Sequence, residues 1–496
     1  LVAMQSDGSA VLNNRAGGVI NIHADNSHAF KVTGAGTGRL INNGRVNLYG
    51  AGRGTFADAT TGNAVTGAPD LPYAASQPGS RAYLTGYTVG TNADGSAGQL
   101  VMTEGGYLAE VAVDTGFTRG SAAPVVELDN VFVGATGGED NIRSLSAVWT
   151  RDAHRDTQGN VDVTMTRNAY ADLVGSDVQP LAAALDAGYT NAAVFHSLEL
   201  ETVGALEEAM QQLSGQGLLA STQRAVDDVK TLRAAMEAQR SPTGVSVLGF
   251  APGVRQGWGP QGLGAAMSLS VPHRARSGWD VQVGSLYSAD HGHGSAAGDS
   301  ARSNVFSAGW TTGWRGAQWR TALNGEWYAL DTSRHLSYGN VQRMARSGRS
   351  IGRQDLSSTV RRAWSMGNLK LQPRAGASVY QHSEAAFRES GAGEYNLSVD
   401  RRGVSGANLE VGMGMRWALS RRWTLSGDAA YISPLAYSVT GGNARLEGAY
   451  HVAFALGAAP AGDPSQRTSL GLDYRKGAGH LNVGVQGQNT FGQRND

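Results

Sequence analysis

The alternation of apolar and polar side chains over residues 369–380 constrains the fold more than any other stretch. Leu369, Leu371, Pro373, Ala375, Ala377 and Val379 make one set, and Lys370, Gln372, Arg374, Gly376, Ser378 and Tyr380 the other. Successive side chains of a strand point to opposite faces, so this segment has one oily and one wet face. The pattern returns at Leu409, Val411, Met413, Met415 and Trp417. After Ser420, Arg421 and Arg422 it returns again at Trp423, Leu425, Gly427, Ala429 and Tyr431. A strand of about ten residues, apolar outward and polar inward, crosses a bilayer as part of a barrel wall. A soluble antiparallel sheet with one wet face has the same local pattern. One hairpin does not decide between them.

The connections decide. From residue 245 onward the sequence predicts strands at 245–250, 263–271, 279–289, 305–314, 318–329, 356–364, 369–381, 407–419, 423–432, 468–475 and 481–491. The short connections are 272–278, 315–316, 365–368, 420–422 and 476–480. The long ones, alternating with them, are 251–262, 290–304, 330–355, 382–406 and 433–467. Short turns on one side and long loops on the other are the habit of an outer-membrane barrel, which a soluble sandwich has no reason to copy. Parity points Arg320, Asn324, Glu326, Lys370, Gln372, Arg374, Glu410, Arg416, Asp428, Asp473, Arg475, Gln486 and Gln488 inward. Charges of both signs suit a hydrated lumen able to hold a polar segment, although ordinary solvation accounts for any one of them. Trp279, Trp310, Trp319, Trp364, Trp417, Trp423 and Tyr474 fall near strand ends, as aromatic girdles do.

The rest of the chain reads differently. Its 496 residues are enough for two or more domains. The formal net charge is zero, so no nucleic-acid partner is expected. Cysteine is absent, which suits passage through an oxidising periplasm. No stretch approaches the ~20 apolar residues of a membrane-spanning helix. No basic, then apolar, leader opens the chain, which is therefore expected to be processed or truncated.

Residues 1–81 echo themselves. Ile20, Asn21, Ile22 and Phe30 match Val46, Asn47, Leu48 and Phe56 at a constant offset, with Asn13-Asn14 and Asn42-Asn43 ahead of each strand. Short strands, Asn/Gly turns and a repeat of this length predict successive coils of a parallel β-helix. Residues 82–170 continue with short strands at 100–102, 108–113, 125–132 and 161–165, a junction region that ends the stack and must cap it. Residues 171–240 turn helical. Pro180 opens a short helix stopped by Gly188, and Leu206, Met210 and Leu213 share a second helical face. A longer helix over 218–239 carries an apolar stripe of Leu219, Val226, Val229, Leu232 and Met236. Its other faces carry Arg224, Asp227, Asp228, Lys230, Arg233 and Glu237. Such a helix fits a protein surface, and it also fits a polar barrel lumen.

Motifs for chemistry are lacking. Gly34-Ala35-Gly36-Thr37-Gly38 has the glycines of a phosphate loop but no lysine and no following helix. His291-Gly292-His293 has no further ligand at a convincing spacing. No G-x-S-x-G elbow occurs. No catalytic residue, cofactor or metal site is expected.

In its order of parts the chain resembles a type V autotransporter over nearly all its length. The most specific stretches are 92–98 (Asn92 to Gly98), 113–120 (Val113 to Gly120) and 161–170 (Val161 to Tyr170), which are similar to autotransporter junction regions, including the group with subtilisin-like passengers. The resemblance implies a mainly all-β chain, in which the end of a right-handed parallel β-helix precedes a transmembrane antiparallel β-barrel of the twelve-strand type. Residues 241–496 would be that barrel, with the helical linker in its lumen. It implies outer-membrane anchoring, a passenger at the cell surface, and a monomer whose partners are the bilayer, the barrel-assembly machinery and periplasmic chaperones. Two alternatives stay open: the non-catalytic part of a surface protease, whose Gly-Thr-Ser-Met-Ala segment is absent here, and a porin-like channel. Eleven strands are counted against an even-numbered family, so the last strand is expected to be missing from the chain.

Overall fold

The computed structural model describes residues 2–7, 10–23, 28–33, 40–49, 82–84, 87–238, 244–250, 262–274, 277–290, 299–456, 464–476 and 479–490. They form two compact units. The first is Leu1–Leu213 with Ser337–Gln342 and Gly448–Val452, and the second is Ser214–Leu336, Arg343–Glu447 and Ala453–Asp496.

In the first unit short strands stack in parallel, coil upon coil. Ile20 pairs with Val46 and Asn21 with Asn47, the predicted register. Met4 and Phe30 are partners at the same offset, whereas Phe56 lies outside the described residues. On a second face Leu12–Asn14, Leu40–Asn42, Tyr87–Val89, Val111–Val113 and Ile142–Ser144 form one parallel sheet. Here Asn14 lies against Asn42, so the two Asn doublets overlap by one residue rather than two. Their amides build a ladder. Asn14 Nδ2 donates to Asn42 Oδ1 at 2.8 Å, Asn42 Nδ2 to the Tyr87 hydroxyl at 3.0 Å, and Asn47 Nδ2 to Asn21 Oδ1 at 2.7 Å. A buried amide that has lost its water needs such a partner, and the neighbouring coil supplies it. Gly98 shows how closely the coils approach, because a Cβ there would sit 1.7 Å from the Asn42 carbonyl oxygen.

Strand direction reverses at the end of the stack. Val125–Gly137 runs parallel to Gln99–Leu108 and antiparallel to Val161–Arg167. Trp149–Arg155, which the sequence pattern missed, adds a further antiparallel strand. This hairpin covers backbone groups that the last coil would otherwise expose. Four helices follow, Tyr170–Leu173, Gln179–Ala187, Ala193–His196 and Val203–Leu213. They bury Leu181, Leu185, Phe195, Leu206 and Met210. Pro180 stands in the first turn of the second helix and Gly188 ends it. The segment expected as one helical linker therefore divides, because these helices find their apolar cover in the first unit.

Beside this packing Glu199 is buried, and its Oε1 accepts the Trp149 indole N–H at 3.0 Å. Desolvation pushes its carboxyl up to about 7, against hydrogen bonds from Trp149, Ser146 and Thr115 and the charge of Arg167, which pull it down. The folded chain thus holds a proton that the unfolded chain releases near pH 4.5. Stability falls as pH rises through that window and levels off above about 7, a loss of about 3 kcal/mol. Glu199→Gln keeps the acceptor for Trp149 and removes the titration. The urea midpoint of the first unit is expected to exceed that of the parent at pH 8 and to match it at pH 5. An equal pH dependence in both proteins would refute the assignment.

The second unit is an antiparallel meander. Its ladder runs Gly244–Phe250, Gly262–Arg274, Ser277–Asp290, Asp299–Trp314, Ala317–Tyr338, Val341–Arg362, Leu369–Glu384, Arg402–Ala418, Trp423–Gly441, Ser465–Lys476 and Gly479–Thr490. Trp364–Met366 continues the sixth of these against Leu369–Leu371. Every strand predicted from the sequence is present. Tight turns occupy the short-connection side, with Arg315 and Gly316 at positive φ of 47° and 81° and Gly367 at 58°.

Three connections expected as long loops are different. Ala317–Tyr338 and Val341–Arg362 run on through 330–355 and meet at Gly339-Asn340. In 382–406 and 433–467 the wall strands also lengthen. Between them a small sheet forms from Phe387–Arg388, Leu397–Val399, Asn443–Leu446 and Phe454–Ala455. The long strands change character part-way. On Ala317–Tyr338 the outward set is Trp319, Leu323 and Trp327, then Asp331 and His335. The oily stretch has the length of one bilayer crossing, and the polar remainder continues the sheet beyond it.

The outward face is apolar elsewhere too. Val247, Leu263, Leu269, Val281, Val379, Val411, Met413 and Leu470 are all exposed. Toward the short turns, Trp279 stacks on Trp310 with ring centroids 6.2 Å apart, and Trp423 on Tyr474 at 4.7 Å. Trp319, Trp364 and Trp417 stand exposed on the same side. Exposed apolar area on this scale needs lipid rather than water against it.

Candidate functional site: the polar face of the wall and its helix

Helix Gln216–Ala238 lies on the polar face of this sheet. Ala225, Val226, Val229, Leu232 and Met236 pack against Ala266, Leu286, Ala301, Val305, Tyr328, Leu330 and Ile351. The predicted stripe holds except at its start, where Leu218 takes the buried place and Leu219 is half-buried beside the cavity. Burying a Val or Leu side chain stabilises by about 1.5–3 kcal/mol, so this seam holds the helix firmly. Small wall residues permit the approach: at Gly284 a Cβ would lie 3.2 Å from Met236 Sδ and 3.4 Å from Leu232 Cδ2.

Charge fixes the helix at both ends. Arg233 Nη1 donates to Glu326 at 2.6 Å and to Asp355 at 2.9 Å. Glu326 also accepts the Tyr328 hydroxyl, and Asp355 accepts Asn324 Nδ2 at 2.7 Å. One turn beyond, Glu237 comes within 3.7 Å of Arg320, which holds Asp280 at 2.8 Å. At the other end Arg349 reaches in from the wall. It donates to the Leu218 carbonyl at 2.7 Å and to Thr222 Oγ1 at 2.6 Å, and pairs with Glu384 at 2.5 Å. Arg224 pairs with Asp299 at 3.1 Å, and Ser221 donates to the same carboxylate. Lys230 stays on its own helix, 3.0 Å from Asp227.

A cavity of about 730 Å³ separates the helix from the facing strands. Across it Arg374 pairs with Glu410 at 2.8 Å and with Asp428, and Arg467 reaches Glu410 at 3.2 Å. Arg416 and Asp473 also line it. The structure thus brings Arg233, Arg320 and Glu326 together on one side, and Arg374, Glu410 and Asp428 on the other. Lys370 keeps the parity of Gln372 and Arg374 and lies opposite Arg416, but it stands exposed at the short-turn end, outside the cavity lining, where its strand begins at Leu369. The Arg475, Gln486 and Gln488 side chains lie outside the described residues, as do His291 and His293.

Several of the strongest partners were missed. Asp299, Arg349, Asp355 and Glu384 fall in or beside stretches expected as loops. Their signal was parity running on after the apolar set had stopped, as in Ser347, Arg349, Ile351, Arg353 and Asp355.

Residues 264–488 match the autotransporter β-domain family. Residues 86–169 match the BigA β-sandwich domain and residues 1–52 the BigA fourth domain. The chain is 32% identical over 490 residues to BigA of Salmonella typhimurium, a protein whose name calls it surface-exposed and a virulence protein. The match covers 92% of this chain and 25% of that one, so the chain spans about a quarter of its relative. Among solved structures, the translocator domain of NalP from Neisseria meningitidis is 15% identical with a TM-score of 0.41, covering 55% of this chain and 93% of that one. The β-domain of the Bordetella autotransporter BrkA is 14% identical with a TM-score of 0.32, covering 46% and 84%. The sequence matches, not these structural likenesses, carry the assignment. The oily outer face embeds the wall in the outer membrane, as an autotransporter β-domain that carries a passenger to the cell surface. This chain belongs to the type V autotransporters: residues 264–488 are an autotransporter β-domain, and the chain that carries them is a homologue of BigA.

Proposed function

We propose that residues 216–238 are the tether by which the wall holds an exported β-helical passenger, and that they fill the pore once export is complete. The observation that carries this is the bridge from Arg233 to Glu326 and Asp355, which ties a charged helix to the polar face of a lipid-exposed wall. Residues 1–81 are read as passenger remnant, 82–170 as junction and autochaperone, and 171–240 as linker. The hairpin that ends the coil stack gives folding a template from which coils can add one by one. The passenger is adhesin-like, and no catalytic group is assigned within this chain. Insertion calls on the barrel-assembly machinery and periplasmic chaperones as partners, since an oily strand face must be kept from water until it reaches lipid.

Surface accessibility tests the reading. Trypsin added to intact cells is expected to cut within residues 1–213 and to spare the wall. Cutting seen only after the outer membrane is permeabilised would overturn it.

A further inference from the structure

Arg402 is buried, with 6% of its surface exposed, and it lines the cavity. No described residue accepts a hydrogen bond from its guanidinium or pairs with it. Its cross-strand neighbour Glu384 is engaged by Arg349 at 2.5 Å. Arg353, also on the cavity, has a buried Nε without a partner. Its nearest carboxylate is Glu326 at 4.0 Å, which Arg233 and Tyr328 already hold. Four guanidiniums, of Arg233, Arg349, Arg353 and Arg402, therefore meet three carboxylates, of Glu326, Asp355 and Glu384. One positive charge of this group is left over, and the Arg402 side chain that carries it is largely removed from water, where an uncompensated charge is costly.

More donors converge there. Arg353 lies over the Tyr380 ring at 5.1 Å, and Tyr437 lines the same cavity. Gly406 is the register partner of both tyrosines and puts no side chain between them. Two guanidinium forks and two hydroxyls, beside the His382 ring on the same cavity, make the complement of a small oxyanion. We propose that Arg353 and Arg402, with Tyr380 and Tyr437, bind a free oxyanion of the phosphate class inside the wall. The site rests on the reading of this polar face as the lumen. Its occupant supplies the missing negative charge and joins the strands carrying Arg353, Tyr380 and Arg402.

The test is calorimetric titration of the detergent-solubilised full chain with inorganic phosphate. Saturable binding at one site is expected. Arg402→Gln should weaken it by roughly tenfold or more, and Arg402→Lys by less, because a lysine keeps the charge but loses the fork. Arg388→Gln, on an exposed pair with Glu447, should change nothing. Each variant is first checked for heat-modifiable gel migration, so that a folding failure is recognised, and Arg402→Lys then carries the comparison. Absent binding by the parent, or unaltered binding by folded Arg402 variants, overturns the site. Equal displacement by acetate overturns the phosphate class. Surface trypsin cutting on the same variants separates the two readings: phosphate binding lost with export intact bears on the anion site alone, and the reverse bears on export alone.

Discussion

Deleting residues 216–238 is expected to turn the wall into an open conductor. In planar bilayers the parent should show small, intermittent conductance through what the helix leaves free. The deletion should show large, sustained openings, since the helix with its side chains occupies a channel roughly 10 Å across. The wall should survive the loss. Its strands are held by continuous ladders, such as Leu369–Glu384 with Arg402–Ala418, that involve no helix residue. The cost falls on the seam at Ala266, Leu286 and Val305, which would face water. Heat-modifiable gel migration shows whether the deleted protein is folded. Equal conductance of parent and deletion would remove the plug from the proposal and favour a porin-like channel.

The sequence alone showed the wall clearly and its interior only in part. Strands crossing lipid obey one rule, apolar outward and polar inward, and residues 369–380 state it without exception on the outward side. That rule stops where the bilayer stops. Past Ala329 the outward set turns polar at Asp331 and His335, while Leu330, Leu336 and Tyr338 turn inward. A reading keyed to oily outward residues therefore ended each long strand too soon. It lost Arg349 and Glu384, the pair that grips the start of the helix. The coil stack was legible from Ile20 and Val46 because parallel coils repeat their side chains at a fixed offset. The closing strand Trp149–Arg155 was not legible. Its alternating set of Trp149, Arg151, Ala153 and Arg155 has no uniform character, and only its neighbours make it a strand. Charged partners were visible as inward candidates, but which pairs with which depends on register, and Arg233 meets Glu326 and Asp355 across more than ninety residues of chain.

Those two bonds set the second large expectation. The Glu326 and Asp355 side chains are 1% and 7% exposed, and Arg233 bridges them. Arg233→Met leaves both carboxylates buried with only Asn324, Tyr328 and the more distant Arg353 to answer them. Breaking a buried pair from one side costs about 3–5 kcal/mol, most of it the penalty of the charge left behind. The heat or urea midpoint of the detergent-solubilised chain should fall accordingly, and brief openings should multiply in bilayer recordings as the helix loosens. Neutralising the partners as well, in Arg233→Met with Glu326→Gln and Asp355→Asn, should recover most of the loss, because no uncompensated charge remains. Arg224→Met is the control: Arg224 and Asp299 are 37% and 21% exposed, and such a pair is worth at most about 1 kcal/mol. Should Arg233→Met cost no more than Arg224→Met, the bridge is not what holds the helix. The apolar seam from Val226 to Met236 would then carry that role alone.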